Sequence, residues 1–227
     1  INRKVFMNKH KIVSLVLVLF AVVGLGAAGT YKYLADKKDS RPATTSNSMA
    51  GMDHSMSSMN AELEKLTGDA FDEKFLSLMT EHHAGAVDMA QYTKDDAKHQ
   101  ELRTLSRAII SDQNSEISQM RSWAKQWGYS FSEPDQKVVT AMSQTLGGKS
   151  GDDLDKQFIT DMSIHHNGAI EMAQLALTNA KHQELKDFAN RIIAAQTKEV
   201  SDMNMWAGEW GYQLENNPNN PHESMSH

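Results

Sequence analysis

The stretch MTEHHAGAVDMAQ at residues 79–91 returns as MSIHHNGAIEMAQ at residues 162–174, 83 positions later. The similarity extends in both directions without a gap, so that residues 71–129 align with residues 154–212. The segments AKHQEL and WGY also occur once in each copy. An internal repeat of this length indicates one supersecondary unit that the chain uses twice.

Each copy has the pattern of a helical hairpin. Residues suited to a packed face recur at alternating spacings of four and three, which is typical of helices that contact each other along a seam. Gly128 and Gly211 follow at positions where a left-handed cap would end a helix. Two amphipathic hairpins bury their faces best against each other, so we predict an all-α protein built as a four-helix bundle. In the first copy the seam residues are Phe75, Met79, His82, Ala86 and Met89, then Ile109, Gln113, Glu116, Met120, Trp123 and Trp127.

The N-terminal segment, residues 1–35, has the pattern of a signal peptide or a membrane anchor. Basic residues precede an apolar run at residues 12–29, which is just long enough to span a bilayer. Basic residues ahead of such a run keep the start of the chain in the cytoplasm and place the remainder outside. The tyrosines and lysines that follow the run favour an anchor, attached to the membrane, over a cleaved signal.

Three further parts follow from composition. Residues 36–65 have no apolar periodicity and predict a flexible tether rich in Met and His. Residues 66–212 form the predicted bundle, and residues 213–227 a disordered tail. Within the bundle, a connector at residues 130–153 has a short helical pattern of its own. The pattern leaves open whether this connector makes the third main helix parallel or antiparallel to the second.

Composition excludes several classes of function. The net charge is −6 and no block of like charge stands out, so nucleic acid is not an expected partner. The chain has no Cys, which excludes disulfides and thiolate zinc sites, but it has 14 Met and 10 His. No nucleophile with a general base, phosphate loop or cofactor motif is present. We therefore predict that the protein is not an enzyme.

Polar residues interrupt the apolar seam in both copies. If the first hairpin turns near residues 96–97, antiparallel pairing sets His82 at about the height of Asp112 and Gln113, and Met79 near Glu116. The same arithmetic sets His165 near Gln196 and Met162 near Glu199. A buried carboxylate needs a hydrogen-bond donor, a cation or a metal. A His–Glu layer that only fixes the register of the helices remains the alternative to a metal site.

Thioether sulfur together with imidazole selects copper, and Cu(I) in particular, with Cu(II) as the second choice. Met on a helix seam also suits ordinary core packing. In the tether, Met and His have no core to fill and favour capture of a soft metal. The predicted metal ligands are Met79, His82, His83, Met89, Glu116 and Met120 in the first copy, Met162, His165, His166, Met172, Glu199 and Met203 in the second, and Met52, His54 and Met56 in the tether.

The paired HH followed by GAVDMAQ or GAIEMAQ, then AKHQEL and W…WGY, resembles the bacterial ferritin-like family called domain of unknown function 305. The resemblance covers residues 71–212 in two copies. It implies an all-helical, ferritin-like bundle and extracytoplasmic copper binding associated with copper resistance. By position it points to Met79, His82, His83, Met89 and Met120 and to their counterparts in the second repeat.

The sequence therefore predicts an extracytoplasmic copper-binding protein for sequestration, resistance or handover, with a copper exporter or chaperone as partner. One alternative is a non-enzymatic helical interaction module with structural His–Glu layers. The other is a ferritin-like iron oxidase, which normally uses Glu-x-x-His motifs. No Glu lies three residues before either His pair, so the iron oxidase is disfavoured.

Overall fold

The computed structural model describes residues 59–214, which are helical and contain no β-strand. The predicted all-α bundle of two hairpins is confirmed. The predicted signal or anchor, the ligands Met52, His54 and Met56, and residues 215–227 of the tail lie outside the described residues. The helices are α1 (Gly68–Thr93), α2 (Gln100–Trp127), α3 (Gln136–Met142, followed by a 3-10 turn at Gln144–Leu146), α4 (Gly151–Asn179) and α5 (Gln183–Glu209).

Both hairpins end as the glycines predict. Gly128 has a φ of 73° and Gly211 a φ of 72°, in the left-handed region that glycine adopts at little cost. The amide of Tyr129 then donates to the carbonyl of Ala124, and the amide of Tyr212 to that of Ala207. These bonds satisfy carbonyls that the last turn of a helix would otherwise leave free. The two copies therefore stop by the same mechanism.

Helices α1 and α4 pack against each other in antiparallel directions. Lys181, just after α4, lies with its Nζ 2.7 Å from a carboxylate oxygen of Asp69 at the start of α1. Lys98, just after α1, lies 2.8 Å from Asp152 at the start of α4. Because α2 is also antiparallel to α1, α2 and α4 run parallel. The structure thus settles the direction that the connector pattern left open.

A buried carboxylate ties the first hairpin to the second. Asp155, on α4, is fully buried. Its carboxylate accepts the backbone amides of Lys98 and His99 at 2.9 and 3.0 Å, and its Oδ2 lies 2.7 Å from Nδ1 of the His99 ring. The two amides lie at the start of α2, where backbone donors have no partner within the helix. Asp155 therefore caps one hairpin from within the other.

The first hairpin makes the same contact with the second. Asp72, on α1 and also fully buried, accepts the amides of Lys181 and His182, and its Oδ2 lies 2.6 Å from Nδ1 of His182. Each of the two His rings stacks on a Trp of the other hairpin, with centroids 3.7 Å apart for His99 and Trp210 and 3.8 Å for His182 and Trp127. We call these two arrangements the reciprocal locks. Through them, both His residues contact helix ends.

The repeat begins earlier than the sequence comparison indicated. Met59 and Leu63 are buried, as are Met142 and Leu146, which follow them by 83 positions. Residues 59–63 are helical and belong to the core. The predicted tether at residues 36–65 is therefore wrong at its C-terminal end. Its last turn has the composition of a linker but supplies two apolar anchors, a signal too short to show as periodicity.

Hydrogen bonds support this longer repeat. Nδ2 of Asn60 donates to Glu171 at 2.7 Å, and Oγ of Ser143 donates to Asp88. Asn60 and Ser143 are equivalent under the 83-residue shift, and so are the two carboxylates. Two short helical segments therefore pack against the four-helix bundle: residues 59–63 contact α4, and α3 with its following residue contacts α1. Among the helices of residues 59–214, none is both long and apolar enough to cross a membrane.

Asp155→Ala is expected to lower the free energy of unfolding by about 2–4 kcal/mol, because it strips two backbone amides and a ring nitrogen of their buried acceptor. Urea unfolding followed by circular dichroism measures the change. Asp95→Ala is the control, since its pair with Arg107 is exposed and is worth at most about 1 kcal/mol. Equal losses in the two variants would contradict a locking role for Asp155.

Candidate metal centre

Two histidines meet where α1 crosses α4. His82 and His165 are both fully buried, and their ring centroids lie 3.7 Å apart with the ring planes at 41°. None of their four ring nitrogens has a hydrogen-bond partner. The centre of the bundle therefore holds two imidazoles in contact with each other and with apolar side chains.

Burial lowers the pKa of His82 well below its usual value, and a positive charge on His83 or on His166 would lower it further. Burial likewise lowers the pKa of His165 well below its usual value, with His82 as the next cause. Both rings are therefore neutral at physiological pH. A neutral imidazole keeps a lone pair on one nitrogen, which is the form that binds metal ions.

The second histidine of each pair contacts a carboxylate. Nε2 of His83 lies 2.8 Å from Oε2 of Glu116, and Nε2 of His166 lies 2.6 Å from Oε2 of Glu199. Nδ1 of each ring has no partner. With the proton on the nitrogen that faces the carboxylate, the other nitrogen presents its lone pair, as in many carboxylate–histidine–metal arrangements. The two glutamates thereby orient their rings.

The register differs from the one that the spacing predicts. The spacing sets Met79 near Glu116, but the carboxylate of Glu116 pairs with His83, one turn further along α1. The second copy shows the same shift. Glu199 is expected near Met162, but its carboxylate pairs with His166, one turn further along α4. The hairpin turn extends beyond the assumed midpoint, and α2 begins only at Gln100. The prediction that His and Glu converge in each hairpin holds in this shifted form.

Six imidazole nitrogens in this cluster are buried without a hydrogen-bond partner: both of His82, both of His165, and Nδ1 of His83 and of His166. Oε1 of Gln113 and Oε1 of Gln196 are unpartnered as well. A buried polar atom without a partner costs about 1–3 kcal/mol. Such groups in a folded protein call for a specific reason. A cation among them would supply one, whereas a purely structural layer should satisfy its own rings.

The predicted methionine ligands of the two repeats lie in the core. Each is at most 1% exposed, and Met120 accepts a hydrogen bond from Thr80 with Oγ1 and Sδ 3.7 Å apart. No three His, Asp or Glu side chains of residues 59–214 form a group that could hold a metal ion by themselves. The methionines concerned are Met79, Met89, Met120, Met162, Met172 and Met203.

Carboxylates from both hairpins gather beside the His–Glu pairs. Partial burial raises the pKa of Asp112, and the nearby charges of Glu199 and Glu116 raise it further. Asp112 and Glu116 belong to α2, whereas Glu199 belongs to α5. Both glutamates are partly exposed, at 27% and 20% of their side chains. Acidic side chains therefore lie on the partly exposed side of the His–Glu pairs, and their negative charge favours cations there. The spacing places Asp112 at the height of His82, but Asp112 is not among the predicted ligands.

The sequence matches the family described as "Domain of unknown function (DUF305)" over residues 25–145 and 155–227. The protein belongs to this family, in agreement with the resemblance of its motifs. None of the curated proteins matches the sequence significantly.

Several solved structures are similar to this chain. CopM in its Cu(I)-bound form is 33% identical, with a TM-score of 0.52 over 61% of this chain and 96% of that one. CopM in its Cu(II)-bound form is 31% identical, with a TM-score of 0.56 over 64% and 99%. A secreted DUF305 protein from Streptomyces coelicolor, 22% identical with a TM-score of 0.57 over 64% and 98%, shares the fold. Copper binding therefore occurs in proteins similar to this one.

The metal-free protein is expected to lose stability as the pH falls below about 6.5, the pKa of His in an unfolded chain. His82 and His165 have lowered pKa values when folded, so the unfolded state takes up protons first. Each ring should lower the free energy of unfolding by about 1.4 kcal/mol for each pH unit below this value, until the pH reaches the pKa of that ring in the folded protein. Urea unfolding between pH 7.5 and 5.5 measures this slope.

The control for the pH experiment is the double variant His82→Leu and His165→Leu, which removes both rings. Its unfolding free energy should change less over the same pH range. A slope as steep as that of the unsubstituted protein would show that other groups cause the acid sensitivity.

Proposed function

We propose that this protein binds copper outside the cytoplasm and holds it, as Cu(I), among buried imidazoles and thioethers for sequestration or handover. The observation that supports this most strongly is the cluster of six buried imidazole nitrogens with no hydrogen-bond partner. They belong to four histidines contributed equally by the two repeats. Each neutral ring keeps a lone pair on one nitrogen, which faces neither solvent nor a protein donor, and a bound cation would use it.

The donor types favour a soft ion of low charge. Imidazole and thioether are neutral, so a monovalent ion brings less uncompensated charge into the bundle than a divalent one. Sulfur of methionine binds Cu(I) well and is of no use to magnesium or calcium. CopM has been solved with Cu(I), Cu(II) and silver, of which silver is also a soft ion. Glu116 and Glu199 supply nearby negative charge through their hydrogen bonds to the rings.

The segments before the bundle would deliver copper ions to it and hold the protein at the membrane. Met52, His54 and Met56 of the tether would collect ions and pass them to the bundle, and the apolar N-terminal run would keep the protein at the membrane. A copper exporter or chaperone is the proposed partner. We propose no catalytic step, because the histidines that could act as acids or bases are those assigned to the ion.

A competition titration tests the proposal. The 227-residue chain is titrated with Cu(I) in the presence of a bidentate Cu(I) chelator, beside a variant in which His82, His83, His165 and His166 are Ala. We expect the variant to lose more than about 100-fold in affinity. Copper should also raise the melting temperature of the unsubstituted protein but not of the variant.

A third protein separates the tether from the bundle. Changing Met52, His54 and Met56 to Ser should reduce the number of ions bound and leave the tightest binding unchanged. An interaction module with structural His–Glu layers would give a different result. The four-histidine variant would then be less stable, yet the unsubstituted chain would show no copper-dependent shift in melting, and the proposal would fail.

Glu116 and Glu199 are predicted ligands that contact His83 and His166, and removing their carboxylates should weaken copper binding. The double variant Glu116→Gln and Glu199→Gln keeps size and hydrogen-bonding capacity but no longer fixes the proton on Nε2 of each ring. We expect a loss of about 10- to 100-fold in Cu(I) affinity, as for other partners of metal-bound histidines. The change Glu101→Gln, on an exposed carboxylate of α2, is the matched control. An unchanged affinity in the double variant would remove the glutamates from the site.

A further inference from the structure

The connector helix α3 brings one more sulfur atom to the histidine cluster. Met142, its last residue, is 5% exposed and packs against α1. A Cβ atom placed on Gly85 would lie 2.2 Å from Sδ of Met142 and 3.1 Å from Nε2 of His165. The sulfur and the nitrogen can therefore be no further apart than the sum of these two distances. Gly85 is the residue whose missing side chain lets both atoms approach.

We infer that Met142 is a copper ligand that acts together with His165. This inference rests on the proposed function and assigns a residue outside the seams of the four long helices. Nε2 of His165 is one of the buried nitrogens without a hydrogen-bond partner, and a neutral thioether lies beside it. Bonds from a first-row metal to sulfur and to imidazole are about 2.3 and 2.0 Å long, so a shared ion would hold the two atoms about 4 Å apart. The observed geometry allows that separation.

The duplicated architecture assigns the same part to Met59 in the other half of the bundle. Met59 precedes Met142 by 83 positions, is equally buried, and is followed by Asn60, whose bond to Glu171 matches that of Ser143 to Asp88. In that half of the bundle, His82 corresponds to His165. The two short helical segments would then each contribute one thioether, Met142 beside His165 and Met59 beside His82.

Core packing alone would also bury Met142, and the two roles differ in what they require of sulfur. Packing needs the volume of the side chain, which Leu reproduces closely, whereas a ligand needs the thioether. Met142→Leu is therefore the decisive substitution. Met205→Leu makes the same chemical change at a residue that is 52% exposed, and it is the matched control.

The experiment combines the competition titration with X-ray absorption at the copper edge, using Cu(I) and the 227-residue chain. We expect Met142→Leu to bind Cu(I) at least about tenfold more weakly and to show fewer sulfur neighbours per copper. Met205→Leu should match the unsubstituted chain in both. If Met142→Leu does not fold, Gly85→Ala replaces it, because the added methyl would lie 2.2 Å from the sulfur and displace it. Since the methyl would also lie 3.1 Å from Nε2 of His165, the number of sulfur neighbours per copper, and not the affinity, then decides the result.

The possible outcomes distinguish the two proposals. If the unsubstituted chain binds Cu(I) and Met142→Leu binds it equally well with the same number of sulfur neighbours, the assignment of Met142 is wrong and the proposed function stands. If the unsubstituted chain binds no Cu(I), both are wrong. Weaker binding in Met142→Leu alone supports the assignment.

Discussion

Neutral imidazoles packed against each other in a dry helical interior are the constraint on which this structure depends. His82 and His165 lie at the crossing of α1 and α4, with rings 3.7 Å apart and no hydrogen-bond partner on either ring. Neither ring can be protonated there without placing a charge in an apolar environment, which is why burial depresses both pKa values. The energetic cost of this arrangement is large for a small bundle, and it is balanced if an ion binds between the donors.

The remainder of the bundle holds these rings in place. Glu116 on α2 orients His83 on α1, and Glu199 on α5 orients His166 on α4. The reciprocal locks, built on Asp72 and Asp155, fix α1 against α4 at both ends and so set the point at which the two helices cross. Positioning of the donors therefore comes from regular helices and buried hydrogen bonds, which hold side chains more accurately than loops do.

Much of the fold could be predicted from the sequence, because a duplicated pattern with helical spacing leaves few arrangements. The hairpins, their glycine caps and the burial of His82 and His165 all follow from periodicity. The direction of α4 could not be predicted, since it depends on which charged ends meet, as Lys98 does with Asp152. The pairing of Glu116 with His83 was missed by one turn because hairpin spacing gives the level of a residue only approximately.

Site residues outside the seam were hardest to predict. Met142 lies in a connector of seven helical residues, too short for periodicity, and its relation to Met59 becomes evident only once the repeat is extended to its full length. Asp155 and Asp72 act on residues more than 50 positions away, so nothing local in the sequence marks them. Long-range partners of this kind require the three-dimensional structure.

The reciprocal locks have a consequence for how such a chain could arise. Each repeat carries one acceptor aspartate, one His-bearing turn and one stacking Trp, and it offers all three to its neighbour and none to itself. A single repeat is therefore self-complementary, and two separate copies would form a symmetric homodimer through the same contacts. The present chain has the architecture of such a dimer fused into one polypeptide. Fusion leaves each half free to diverge, so that one side of the ring pair can change its ligands while the other preserves them.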